Sequence, residues 1–168
     1  MQITIMVGPS GSGKSTEVAG ILRNISPSKI FRLSSLNESL DIKAAVLSAD
    51  DVTYDDDGFH PEKIGEAHAR CLRVFIGTLM QTNDLCNIEH LIVDNTNTTA
   101  SELAPYIAIA AALNAPINIS VCQVAWQEGM DKSIHNVPWY VVKRQCRQLE
   151  RLLDEWPPFW PQPEFTER

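Results

Sequence analysis

The chain has 168 residues, 44% hydrophobic and 21% charged, which fits one soluble domain with one substantial core and excludes a disordered chain. Its formal charge is −7, so a broad basic face for gripping nucleic acid is excluded and any such face has to be local. No apolar run reaches the about 18–20 residues that span a bilayer, so no membrane partner is expected.

Residues 2–7, Q-I-T-I-M-V, read as a short buried strand. Residues 15–24 predict a helix, with Val18, Ile21, Leu22 and Ile25 on one side and Ser26-Pro27 as the stop. A short strand over 30–34 and a loop over 36–41 follow, and then a stronger strand over 44–48 that ends in Ala49-Asp50-Asp51. Asp55, Asp56, Asp57 and Gly58 signal a solvated turn. Pro61 opens a long helix to about residue 82, with Ile64, Ala67, Cys71, Leu72, Phe75 and Leu79 as its apolar face. H-L-I-V-D, 90–94, is another buried strand. Thr99 and Glu102 have capping-box spacing for a helix to about 113, which Asn114-Ala115-Pro116 breaks. A strand over 117–124 and a polar, irregular stretch over 127–136 lead to a last helix over 138–155. The proline- and aromatic-rich segment 156–168 is expected to be a tail that packs back on its own domain or binds a partner.

Strands and helices thus alternate, which implies an α/β fold with a mostly parallel sheet and helices on both faces. Ligands of such sheets bind at the carboxyl ends of the strands, where the polar clusters of this chain fall. Residues 1–155 are expected to form one domain. No secretory signal fits, because the first apolar stretch runs straight into a functional loop. Cys71, Cys86, Cys122 and Cys146 lie far apart without zinc spacing, and are expected to be reduced and buried in a cytoplasmic protein.

That loop is G-P-S-G-S-G-K-S-T, residues 8–16. Gly8, Gly13, Lys14 and Ser15 match the phosphate-loop spacing G-x-x-x-x-G-K-[ST], with a strand before and a helix after. The glycines let backbone N–H groups turn inward around a phosphate, and the helix N-terminus adds its dipole. Residues 8–16, including Ser10, Gly11, Ser12 and Thr16, therefore form the candidate nucleotide loop. Lys14 is placed to reach the β- and γ-phosphates and Ser15 to hold Mg²⁺. Asp94, at the end of a buried strand, is the second candidate metal residue.

Asp50 and Asp51 end another strand. One of them could accept a proton from an attacking hydroxyl; both could instead cap the next segment. In the 127–136 stretch, Lys132 and His135 are the candidate lid cations for charge that develops during phosphoryl transfer. Arg144, Arg147 and Arg151 follow at i, i+3 and i+7 on the last helix, facing either phosphate or solvent partners such as Glu150, Asp154 and Glu155. Asn97 is a substrate-side candidate whose plainer role is turn formation.

Together, G-P-S-G-S-G-K-S-T, L-S-A-D-D, E-A-H-A-R-C, L-I-V-D-N-T-N-T and S-I-H-N-V-P resemble the P-loop polynucleotide kinase family over roughly residues 2–155. The resemblance implies a P-loop kinase fold and an ATP- and Mg²⁺-dependent transfer of phosphate to a hydroxyl. It implies Asp50 as general base, Lys14, Ser15 and Thr16 as nucleotide and Mg²⁺ contacts, and Lys132 in place of a lid arginine. It also implies a 5′-hydroxyl end of DNA or RNA as acceptor, or a hydroxymethylated base in DNA, with a small hydroxyl compound as third choice. Where that family carries a basic residue shortly after its catalytic acid, this chain has Thr53. The rival class is a P-loop ATPase or switch with no acceptor.

Overall fold

The computed structural model describes residues 1–33, 41–55, 58–80, 87–133 and 137–166. The elements in chain order are β1 Gln2–Val7, α1 Lys14–Leu22, β2 Ile30–Arg32, β3 Ala44–Leu47, α2 Asp50–Thr53, β4 Tyr54–Asp55, β5 Gly58–Phe59, α3 Ile64–Met80, β6 His90–Val93, α4 Ala100–Ala112, β7 Ile117–Val121, α5 Trp126–Asp131, α6 Trp139–Asp154 and β8 Pro163–Phe165. Six of the described strands form one sheet in the order β2-β3-β6-β1-β7-β8. Every pairing in it is parallel, for example Ile5 with Val93 on one side and with Ile119 on the other.

Period-2 alternation divides the core between the two faces of the sheet. On one face Ile3, Ile5, Val7, Ala45, Leu47, Leu91 and Val93 pack against α3, α4 and α6 through Phe75, Leu103, Tyr106, Leu149 and Leu152. On the other face Met6, Ala44, Val46 and Ile92 meet Val18 and Leu22 of α1. The central strands β3 and β6 are buried on both sides, which is why their sequences, A-A-V-L and H-L-I-V, show no polar alternation. The spacing of buried residues on α3 (Ala67, Cys71, Phe75) and α6 (Val142, Cys146, Leu149, Leu152) is the helical stripe that covers one sheet face. Of the cysteines, Cys71, Cys122 and Cys146 are free and buried, and burial pushes the Cys71 thiol up to about 11. Cys86 lies outside the described residues.

Three segments differ from the sequence reading. The polar stretch after β7 is partly helical: α5 forms because its Trp126 ring packs 6.1 Å from Trp139 of α6, with the Lys143 ammonium 5.1 Å over it. The first turn of the long helix, Pro61–Lys63, is 3₁₀, and the α-helix proper is described over Ile64–Met80, the last two expected residues lying outside the described residues. The C-terminal segment, too rich in proline for a helix, supplies a strand: β8 adds to the β7 edge, pairing Ile119 with Pro163 and Val121 with Phe165. An edge position suits proline, which has no N–H to donate on the open side. Trp156 and Trp160, edge to face at 5.4 Å, fasten this segment to the core.

Candidate active site

Because the strands run parallel, the loops that follow β1, β3, β6, β7 and β8 open on one edge of the sheet. They line a cavity of about 1310 Å³. Lys14, Ser15, Thr16, Asp50, Asp51, Asp94, Lys132 and Arg144 all line it, so most of the residues singled out in the sequence converge there.

The phosphate loop has the backbone its glycines predict. Gly11 and Gly13 take φ of 75° and 84°, in the left-handed region open to glycine. A side chain at Gly11 would also meet the backbone of α5, since a Cβ would lie 1.8 Å from the Gly129 carbonyl oxygen. The Lys14 ammonium curls over the loop and donates to the carbonyls of Gly8 and Pro9, both at 2.9 Å. The Ser10 N–H donates to Gln145 Oε1 of α6 at 2.9 Å. Ser12 is fully buried, so it supports the loop from beneath.

The two aspartates after β3 part company. Asp51 Oδ2 accepts the Leu33 N–H at 3.2 Å and ties the end of β2 to α2. Burial raises its pKa, and the Arg32 charge opposes that. Asp50, the first residue of α2, is exposed to the cavity. Asp94 is half-buried at the end of β6; burial raises its pKa, Lys14 opposes the rise, and Asp50 adds to it. These three groups therefore feel one another's charge. Asn95 steadies the arrangement by accepting the Ala49 N–H at 2.8 Å.

Nucleotide and Mg²⁺ fit this donor set. The glycine-rich backbone after β1 and Lys14 suit phosphate, while the Ser15 hydroxyl and the Asp94 carboxylate on the same cavity are hard oxygen donors of the kind Mg²⁺ prefers. Among the described residues no cluster of three acidic, histidine or cysteine side chains forms a metal cage. Mg²⁺ needs none, because it keeps waters and takes substrate phosphate oxygens.

Asn97 is not on the cavity wall. Its left-handed φ of 48° turns the side chain inward, where Nδ2 donates to the Met6 carbonyl at 2.8 Å, and 1% of the residue is exposed. It pins the Asp94 loop under the phosphate loop instead of meeting substrate. Lys132 caps α5 and is ion-paired with Glu128 on the same helix, on the cavity rim. His135 lies outside the described residues. Arg144 faces the cavity, whereas Arg151 pairs with Glu155 in solvent at 3.1 Å. Sequence reasoning passed over Arg32, Phe59, Gln145 and Thr166, all of which line the cavity. Arg32 had a legible signal, its place at the end of a strand. Thr166 had none, because only the pairing of β8 brings it to this edge.

A family profile described as AAA domain (AAA_33) matches residues 3–133. No curated protein matches the chain in sequence. Among solved structures, the Mycobacterium tuberculosis APS kinase CysC in complex with AMPPNP and APS is 21% identical, with a TM-score of 0.50 over 78% of this chain and 67% of that one. A gluconokinase from Sinorhizobium meliloti 1021 is 14% identical, with a TM-score of 0.53 over 92% and 78%. The AvrRxo1-ORF1:-ORF2 complex is also 14% identical, with a TM-score of 0.55 over 92% of this chain and 51% of that one. At these identities the likeness is one of fold: an α/β P-loop NTPase fold.

Proposed function

The chain belongs to the AAA domain family, and from that premise we propose that it is a kinase that moves the γ-phosphate of ATP to a hydroxyl. The observation that carries this reading is the exposed Asp50 carboxylate, set in the same cavity as Lys14, Ser15 and Asp94 and within electrostatic reach of Asp94. A kinase uses such a carboxylate to take the hydroxyl proton of its acceptor, whereas a switch that activates water through Asp94 leaves Asp50 without a role.

In this reading the loop N–H groups and Lys14 hold the β- and γ-phosphates, and Lys132 and Arg144 approach the same charge from the rim. Ser15 and Asp94 are the residues that would hold Mg²⁺, which when bound would neutralise phosphate charge. Asp50 accepts the proton of the acceptor hydroxyl. That oxygen bonds to the γ-phosphorus, the bond from phosphorus to the β–γ bridging oxygen breaks, and ADP leaves with the electron pair. The leading acceptor is a 5′-hydroxyl end of DNA or RNA, with a hydroxymethylated base in DNA as the close second. A small hydroxyl compound is the third reading, favoured by the net charge of −7.

The test uses γ-labelled ATP, Mg²⁺ and a 5′-hydroxyl oligonucleotide, following both labelled oligonucleotide and released phosphate. Label should reach the 5′ end with the natural chain and not with Lys14→Ala. Asp50→Ala should lower transfer by about 10²–10⁴-fold, the usual contribution of a general base, while ADP affinity stays unchanged. Fast, Lys14-dependent phosphate release that ignores both acceptor and Asp50→Ala would sink the kinase in favour of the ATPase or switch.

A further inference from the structure

The outward face of α6 carries rings and cations that the transfer chemistry leaves unused. Val142, Cys146, Leu149 and Leu152 set the apolar stripe of this helix into the core. On the opposite side Tyr140, Arg144, Arg147 and Arg151, at i, i+4, i+7 and i+11, form one exposed ridge. Arg151 is taken by Glu155. Arg144 and Arg147 make no ion pair among the described residues. The segment K-R-Q-C-R, residues 143–147, holds three cations and no acid, and the first turn of the helix holds no acid either. On a chain of net charge −7 this is a local basic face.

Three aromatic rings begin this face. Trp126 and Trp139 lie 6.1 Å apart, and the Lys143 ammonium stands over both, 5.1 and 5.9 Å from their centroids, so cation–π attraction fixes the group. Tyr140 meets Trp139 edge to face at 6.0 Å. The contact of Trp126 with Trp139 anchors α5, but it does not account for Tyr140, which is 60% exposed, or for the 53% of Trp139 that stays exposed. Exposed rings held in place offer bases a stacking platform, and guanidinium groups one and two turns further along offer phosphates charged donors. A protein partner fits less well, because this surface falls short of the about 20–30 residues that a stable protein interface takes from each side. A lipid surface fits less well too, because the ridge presents no aliphatic side chain to bury.

We propose that this face of α6 is a binding site for unpaired nucleic acid outside the catalytic cavity, with a base stacked on Tyr140 beside Trp139 and a backbone phosphate against Arg147. The site adjoins the cavity rim, which Pro138, Val141 and Arg144 line. It reads no strand end, and it does not depend on which hydroxyl receives phosphate.

The test is fluorescence anisotropy of a labelled circular oligothymidylate titrated with the full chain. A circle has no 5′ end, so its binding cannot be that of an acceptor end in the cavity. The circle should bind, and Tyr140→Ala should weaken it by at least about fivefold, the size of one lost base–aromatic stack. Tyr140→Phe, which keeps the ring, should bind as the natural chain does. Arg147→Ala should lower the slope of log Kd against log salt by about 0.7, the value for one phosphate contact on a single strand. ADP affinity should stay unchanged in all three variants, which shows that they are folded. A circle that does not bind, or whose affinity ignores Tyr140→Ala, overturns the proposal. Inorganic polyphosphate bound as tightly as the circle reduces the face to charge alone and overturns it as well. Phosphatidylserine vesicles, or a second copy of the chain, held through Tyr140 when the circle is not would overturn it in favour of a lipid surface or a dimer. Binding of the circle without any transfer of label to an oligonucleotide end would sink the nucleic-acid acceptor and leave this site standing.

Discussion

Asp94 shows how one residue trades stability for function. Burial and the neighbouring Asp50 raise its pKa above the ordinary 3.8, with Lys14 pulling the other way. An acid whose folded pKa is raised favours the folded state when protonated. That contribution is fully present below 3.8 and is lost as pH rises through the folded value. At neutral pH the charged carboxylate is therefore a cost, which a cation held there would offset. Asp94→Asn should raise the melting temperature of the nucleotide-free protein at pH 7, and the gain should shrink as pH falls through the raised pKa. The same variant should lose Mg²⁺-dependent transfer. A melting temperature that falls at pH 7 would count against this account. That Lys14, Ser15 and Asp94 meet at one cavity was legible, the first two from the loop spacing and Asp94 from its place at a strand end. Which of Asp50 and Asp51 is the more exposed and which is held by a backbone N–H was not, since it turns on the Leu33 N–H, which lies just past a different strand. Asn97 misled for a related reason: a turn asparagine looks the same in sequence whether its amide faces substrate or, as here, the Met6 carbonyl.

Among the elements, α4 and α5 show two kinds of determination. Helix α4 begins where Thr99 and Glu102 say it must, because a capping box satisfies its end with residues three apart. Thr99→Ala should cost about 1 kcal/mol in urea unfolding and leave ADP affinity unchanged, since Thr99 itself does not line the cavity. Helix α5 is held by tertiary contact, through Trp126 on Trp139 and the close approach of Gly129 to Gly11. Gly11→Ala puts a Cβ into the Gly129 carbonyl at a φ of 75°. It should cost at least about 1–3 kcal/mol, as overpacking does, and should also weaken ADP binding by displacing the loop. Loss of stability with unchanged ADP affinity would separate α5 from the nucleotide site.

At the scale of the whole molecule, six parallel strands put five loops on one edge, so occupying that edge should stabilise the fold as a unit. ADP at 100 times its Kd should add about 2.7 kcal/mol, read as a rise in melting temperature, and Lys14→Ala should lose that rise. Removing residues 163–168 should lower the melting temperature and weaken ADP binding together, because β8 extends the sheet and places Thr166 beside Cys122 on the cavity wall. Loss of stability alone would make β8 an edge guard and nothing more. By itself the sequence determined the alternating α/β plan, the phosphate loop and the strand-end acids, since each follows from local periodicity or from spacing that chemistry requires. Only the tertiary structure decided that a proline-rich tail supplies a sheet strand, that Arg32, Tyr54 and Phe59 line one cavity with Asp50, and that Asn97 turns inward. The physical reason is that edge pairing, cavity walls and side-chain direction arise between segments far apart in the chain, where no local pattern records who the neighbour will be.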